Sequence, residues 1–175
     1  MKAVVVYTSQ TGFTKQYAQW ISEASGAECV EFKKASKLKL TEYDAIVFGG
    51  WCMAGGIKNL PWFKKQIPSL AASGKKLIVY AVGASPAESP DIQKAMRNNF
   101  TDEEWNSVKT FYCPGGLNYE KMKRGSKMAM KMLITILKSK KNPTKDDKLQ
   151  IKMISQSYDI SDKKYIAPIV ALLSS

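Results

Sequence analysis

A chain of 175 residues, 45% hydrophobic and 24% charged, has the length and composition of one globular domain with a sizeable core, and not those of a disordered protein. It contains no histidine, so the usual general base, the commonest metal ligand and a Ser-His-Asp triad are excluded, and any catalysis has to come from a cofactor. Its net charge of +12 calls for an acidic partner, an anionic membrane surface or nucleic acid.

In chain order, residues 2–7 are a short Val-rich run, as expected for a strand buried on both faces. The polar loop Thr8-Ser9-Gln10-Thr11-Gly12 follows, and Tyr17, Ala18, Trp20, Ile21 and Ala24 give residues 12–25 a helical stripe that Gly26 stops. Residues 27–32 predict a weaker second strand, residues 33–41 a basic irregular connection, and residues 45–50 a third strand ending in glycines. The stretch 50–56 reads as a loop, and residues 60–70 as a helix with Pro61 in its first turn. A fourth strand is predicted over 76–82, a helix over 90–98, a helix start at Thr101 with Glu104 in the capping-box position, and a fifth strand over 107–113. Beyond it, 125–137 predicts a helix, 138–148 an exposed basic linker, and 160–173 a closing amphipathic helix with Pro168 as a weak point.

Alternating strands and helices predict an α/β fold, a parallel sheet covered by helices on both faces, within a single domain spanning 1–175. Ligands of such sheets bind beyond the carboxyl ends of the strands, where the loops at 9–12, 49–56 and 83–86 would meet. The first loop delivers hydroxyl side chains onto a helix N-terminus, where unpaired N–H groups and the dipole favour an anion. Its residue types suit a phosphate held by neutral donors, although a plain polar turn has the same composition. Neither a GxxxxGK[ST] nor a GxGxxG motif is present, and strand 1 ends without an acid.

The same stretch resembles the flavodoxin signature: Val5, Val6, Tyr7, Ser9, Gly12, Thr14, Ala18 and Ile21 fill all eight constrained positions. The resemblance covers roughly residues 1–113 and resumes in the last helix. It implies a flavodoxin-like three-layer sandwich with a five-stranded parallel sheet of order 2-1-3-4-5, and FMN as cofactor, its phosphate held by Ser9, Gln10, Thr11, Gly12, Phe13 and Thr14. By the same resemblance Trp51, Cys52, Met53, Ala54 and Gly55 flank the isoalloxazine ring. Either Trp51 or Met53 is the stacking side chain, with a core role the alternative for Trp51 and a packed thiol expected at Cys52. The run Ala54-Gly55-Gly56 would allow the peptide reversal that flavodoxins use on one-electron reduction, with Ala54 resisting it more than glycine. Val82 and Gly83 would meet the pyrimidine edge through their backbones, and Tyr119 is the candidate for the outer face of the ring.

The chain departs from acidic electron-carrier flavodoxins in its charge. Residues 121–148 hold ten Lys or Arg against two Asp, a net +8, and form a basic helical insertion between strand 5 and the last helix. Lys127, Lys131 and Lys138 fall near one helix face, while Met128, Met132, Leu133, Ile136 and Leu137 share the other. That pattern fits a helix bound to an anionic membrane surface or a partner, and equally a core helix with a solvated lysine stripe. Residues 111–137 also resemble, loosely, the menaquinone-dependent protoporphyrinogen dehydrogenases of the same superfamily.

The expectation is an FMN-binding electron-transfer protein working with a redox partner protein or a quinone. The alternatives are an FMN-dependent quinone-linked dehydrogenase of the protoporphyrinogen-oxidising type and a non-redox membrane- or nucleic-acid-binding module; the +8 segment favours the module, the intact phosphate loop argues against it, and nucleic acid is the least expected partner. No residue stands out as an acid–base catalyst or metal ligand. A positively charged protein should hold a less negative flavin potential than acidic flavodoxins do. Three scattered cysteines, no signal-peptide pattern and no apolar run near the roughly 18 residues of a membrane span lead to a cytoplasmic location, peripheral to the membrane if the basic helix binds lipid.

Overall fold

The chain is described by a computed structural model covering residues 1–175, the side chain of residue 146 excepted. Val4, Val5 and Val6 of β1 (Ala3–Tyr7) are fully buried. Val4 and Val6 face one core cluster and Val5 the other, the signature of a strand covered on both sides. Helix α1 (Phe13–Ser25) returns the chain to β2 (Glu28–Glu31), and Gly26 closes α1 in a left-handed conformation, as its sequence predicted. Two tight helical turns, Phe32–Lys37 and Leu40–Glu42, make the connection to β3 (Ala45–Met53).

β3 runs three residues further than its sequence suggested and folds back through β4 (Gly56–Ile57), so the expected loop 50–56 is mostly hairpin. The helix predicted over 60–70 is two pieces, α2 (Leu60–Lys64) and α3 (Ile67–Ala72). Pro68 explains the division: a proline without N–H fits the first turn of α3 and would break a continuous helix. Then come β5 (Lys76–Gly83), α4 (Ile92–Arg97), α5 (Asp102–Ser107) with its Thr101–Glu104 capping box, and β6 (Lys109–Pro114).

The sheet order is β2-β1-β3-β5-β6, all neighbours parallel, with β4 attached to β3. Counting the parallel strands alone, this is the expected 2-1-3-4-5. Phe63, Ile67, Leu70, Ile92 and Met96 cover one face, and Tyr17, Ile21, Ile169 and Leu173 the other.

The C-terminal third carries the main surprises. β7 (Gly116–Leu117) continues from β6, α6 (Arg124–Lys138) follows, and the stretch expected to be a linker contains the start of α7 (Lys145–Ile154). β8 (Tyr158–Asp159) then returns to pair antiparallel with β7. A short turn of helix, Lys163–Ile166, leads into α8 (Ala167–Ser174), where Pro168 occupies the first turn instead of weakening the middle. Leu117, Leu137 and Ile154 form a third, smaller core under the insertion. No helix is long and apolar enough to cross a membrane among the described residues.

Candidate phosphate and ring site

The Thr8 N–H donates to the Gly49 carbonyl at 2.9 Å, which keeps the first loop in register with β3 after β1 has ended. Asn59 Nδ2 donates to Thr8 Oγ1 at 3.2 Å, and Ser9 Oγ accepts from the Gly12 N–H at 3.2 Å. The chain then enters α1 through Gly12, whose φ of 109° is a conformation that side chains resist. This helix start differs from two others. α5 and α7 are each closed by a threonine hydroxyl and an acidic side chain, whereas α1 has no side-chain cap and no acid in its first turn. Its N–H groups and positive dipole end therefore face outward, framed by the Ser9 and Thr11 hydroxyls, with Thr14 only 1% exposed at the base. Phe13 packs against Gly115 and the α1–α8 core, so its N–H is the part left for a ligand.

β3 ends at the next loop. Trp51 and Met53 lie two residues apart on one face of the strand, and Cys52 packs against the opposite core. Trp51 is half-buried and Met53 is 43% exposed, so both can meet a flat ring. Burial pushes the Cys52 thiol up to about 11, which keeps it protonated and unreactive at neutral pH. Ala54 and Gly55, at φ 48° and 81°, form the two-residue turn of the β3–β4 hairpin. Asn99 braces that turn, donating to the Gly55 carbonyl at 2.8 Å and accepting from the Ile57 N–H at 3.1 Å.

The third loop begins where β5 pairs with β6, Gly83 opposite Pro114. The Val82 side chain is buried against Gly115, which leaves its backbone as the available part, while Gly83 opens the loop. Tyr119 is held elsewhere: its ring packs in the insertion core and its hydroxyl donates to the Ile154 carbonyl at 2.5 Å. Thus Ser9–Thr14, Trp51–Gly55 and Val82–Gly83 share one end of the sheet, and Tyr119 belongs to the insertion beside them. An open crevice of about 430 Å³ separates the two, lined by Thr11, Gly12, Gln16, Asn118, Lys121 and Asp159. Sequence reasoning missed Asn99, Tyr112 and Tyr158, which act on loops far from them in the chain; the Thr144-x-x-Asp147 capping pattern would have revealed α7. Among the described residues there is no cluster of His, Cys, Asp or Glu suited to a metal ion.

The flavodoxin-domain family profile matches residues 4–144. No curated protein sequence matches the chain. Among solved structures, a flavodoxin from the domain Archaea is 20% identical over 100% of both chains, with a TM-score of 0.43. A flavoprotein in complex with FMN from Lactobacillus acidophilus is 14% identical over 65% of this chain and 91% of its own, with a TM-score of 0.45. The flavodoxin, WrbA-like protein from Agrobacterium tumefaciens is 23% identical over 49% of this chain, with a TM-score of 0.40, and this chain spans 62% of its length.

Proposed function

The chain belongs to the flavodoxin-domain family, and from that premise we propose that it binds FMN and transfers electrons through it. The observation that carries this reading is the uncapped, acid-free N-terminus of α1, with hydroxyl side chains on a loop entered through a left-handed glycine. A phosphate monoester fits that donor set, because backbone N–H groups and hydroxyls neutralise it without a basic side chain. When bound, FMN supplies the redox chemistry, exchanging electrons with a donor and an acceptor.

The protein's own part is positioning. Ser9, Thr11, Thr14 and the N–H groups of residues 10, 11, 13 and 14 would hold the phosphate end, the Gly12 N–H being taken by Ser9 Oγ. Trp51 and Met53 offer an indole and a thioether to the ring, and the half-buried strand end beneath them excludes water from one side. Cys52 and Tyr112 both have protonation equilibria raised by burial, so neither supplies a proton acceptor near pH 7.

An absorption spectrum of the purified protein, followed by titration with FMN and with riboflavin, tests the reading. Yellow protein or tight FMN uptake, with riboflavin much weaker, is the expected result. A protein that takes up neither would favour a non-redox module on the same fold.

A second reading, an FMN-dependent quinone-linked dehydrogenase at an anionic membrane surface, is favoured by one feature of α6. Met128, Met132 and Ile136 are 68%, 62% and 54% exposed, and no acid occurs between Glu120 and Asp146. Reduction of a soluble quinone analogue by the FMN-loaded protein, with a porphyrinogen as electron source, separates this enzyme from an electron carrier.

A further inference from the structure

The loop after β5 is held through three successive carbonyls. Gly83 O accepts from the Gly115 N–H at 2.8 Å, Ala84 O from Tyr158 Oη at 2.6 Å, and Ser85 O from Tyr112 Oη at 2.8 Å. We propose that Tyr112 and Tyr158 are positioning residues that fix this loop with its N–H groups presented to the flavin's pyrimidine oxygens, so that the insertion, through Tyr158, helps to set flavin affinity and potential. The inference rests on the FMN reading above, and it concerns residues that this reading does not otherwise use.

The two tyrosines come from different parts of the molecule. Tyr112 lies on β6 and packs against the α2–α5 core. Its ring fills the space over Gly83, where a Cβ would fall 2.5 Å from Tyr112 Oη, so glycine is required at the hinge of the loop. Tyr158 lies on β8, and its place is determined by pairing with Leu117 and by the small core of Leu117, Leu137 and Ile154. Ala84 packs on that same core. The insertion therefore touches the loop twice, through a side-chain contact and through a hydrogen bond.

The chemistry follows from which groups are taken. Each of the three carbonyls already accepts a hydrogen bond, whereas among the described residues neither the Ala84 nor the Ser85 N–H has a backbone acceptor, so the open backbone donors of the loop are these N–H groups. A donor row suits the acceptor oxygens of a pyrimidine edge. Donors aimed at those oxygens stabilise negative charge on the ring, which makes reduction easier. Burial lifts both hydroxyls, Tyr158 to about 12, so they remain protonated donors at neutral pH.

The test uses Tyr112→Phe, Tyr158→Phe, the double variant and Tyr43→Phe as control. Tyr43 lies just before the amino end of β3, where its hydroxyl donates to Glu28, at the other end of the sheet from the loop. Amide hydrogen exchange at Gly115, whose buried N–H donates to the Gly83 carbonyl, measured without FMN, reads the clamp itself; FMN dissociation constants and midpoint potentials read its effect on the flavin. Loss of one such hydrogen bond should speed exchange there by roughly three- to tenfold, weaken FMN by a similar factor and make the potential more negative. The double variant should exceed either single one, and Tyr43→Phe should leave all three readouts unchanged. Unchanged exchange in both single variants overturns the clamp, and faster exchange with unchanged affinity and potential overturns its link to the flavin. Should the unmodified protein take up no FMN, the proposed function fails and the flavin role falls with it, while the exchange measurement still decides whether the clamp exists.

Discussion

At Ala54 the backbone adopts φ 48°, a left-handed conformation that costs a residue with a Cβ about 1–2 kcal/mol. The hairpin turn requires it, because Ala54 and Gly55 both have positive φ, the type I′ pattern that matches the twist of the flanking strands. Ala54→Gly should therefore stabilise the protein, by roughly 0.5–1 kcal/mol once glycine's larger unfolded-state freedom is offset. Urea unfolding measures this, and a lower midpoint for the variant would refute it. The opposite change at the phosphate loop, Gly12→Ala, places a Cβ at φ 109° with open space around it. Strain alone is then at stake, and it should cost about 1–3 kcal/mol and weaken FMN binding at the same time. The first loop was readable in the sequence because its chemistry is local: a strand, hydroxyl residues, a glycine and a helix within ten positions. Tyr112 and Tyr158 were not readable, since they reach loop carbonyls 27 and 74 residues away. Such contacts are fixed by strand register and by the β7–β8 ribbon, and no short-range pattern encodes them.

Helix α7 illustrates how a basic composition can hide an element. Its lysines suggested a solvated linker, yet Thr144 Oγ1 accepts from the Asp147 N–H at 3.1 Å while Asp147 Oδ2 accepts from the Thr144 N–H at 2.9 Å. Ile151 and Ile154 then face the insertion core, Ile154 fully inside it. Lys140 Nζ donates to Asp147 Oδ1 at 2.7 Å, and this bond, followed by the Thr144 N–H, lowers the Asp147 carboxyl from 3.8 to about 2. A carboxyl depressed on folding contributes stability that is complete above its unfolded value and is lost as pH falls through the folded one. The start of α7 should accordingly loosen between about pH 4 and pH 2, ahead of the sheet, and Asp147→Asn should remove that step. Amide exchange over 145–154 during acid titration would detect it; a step that persists in the variant would assign the transition to another group. The same packing divides the apolar side of α6 differently from the sequence reading. Leu137, grouped there with the exposed methionines, is buried with Met130 and Ile134 against it, while Met128, Met132, Leu133 and Ile136 remain outside.

Over the whole molecule the sheet order and the two helical layers were legible because a parallel α/β chain writes each strand as an apolar run and each crossover as a helical stripe. What the sequence could not place was the orientation of the insertion, which depends on a third core assembled from segments near 117, 137 and 154. That orientation bears on the net charge. On the open side of α6 the exposed Met128, Met132, Leu133 and Ile136 lie beside Lys131, with Lys121, Lys123 and Arg124 before them and Lys138 and Lys141 after. Two copies of such a surface would bring like charges together, whereas an anionic bilayer satisfies both its ends and its centre. On the membrane-surface reading proposed above, the protein should sediment with vesicles containing phosphatidylserine and not with purely zwitterionic ones, and it should be released by salt as screening shortens the reach of the lysines. Met132→Ser combined with Ile136→Ser changes exposed residues and should leave the unfolding free energy within about 0.5 kcal/mol of the original while reducing vesicle binding several-fold. Equal binding to both kinds of vesicle would remove charge from the explanation. Sedimentation of the double variant at the original level would remove the apolar stripe, leaving α6 as a packed helix whose outer methionines have no partner in lipid.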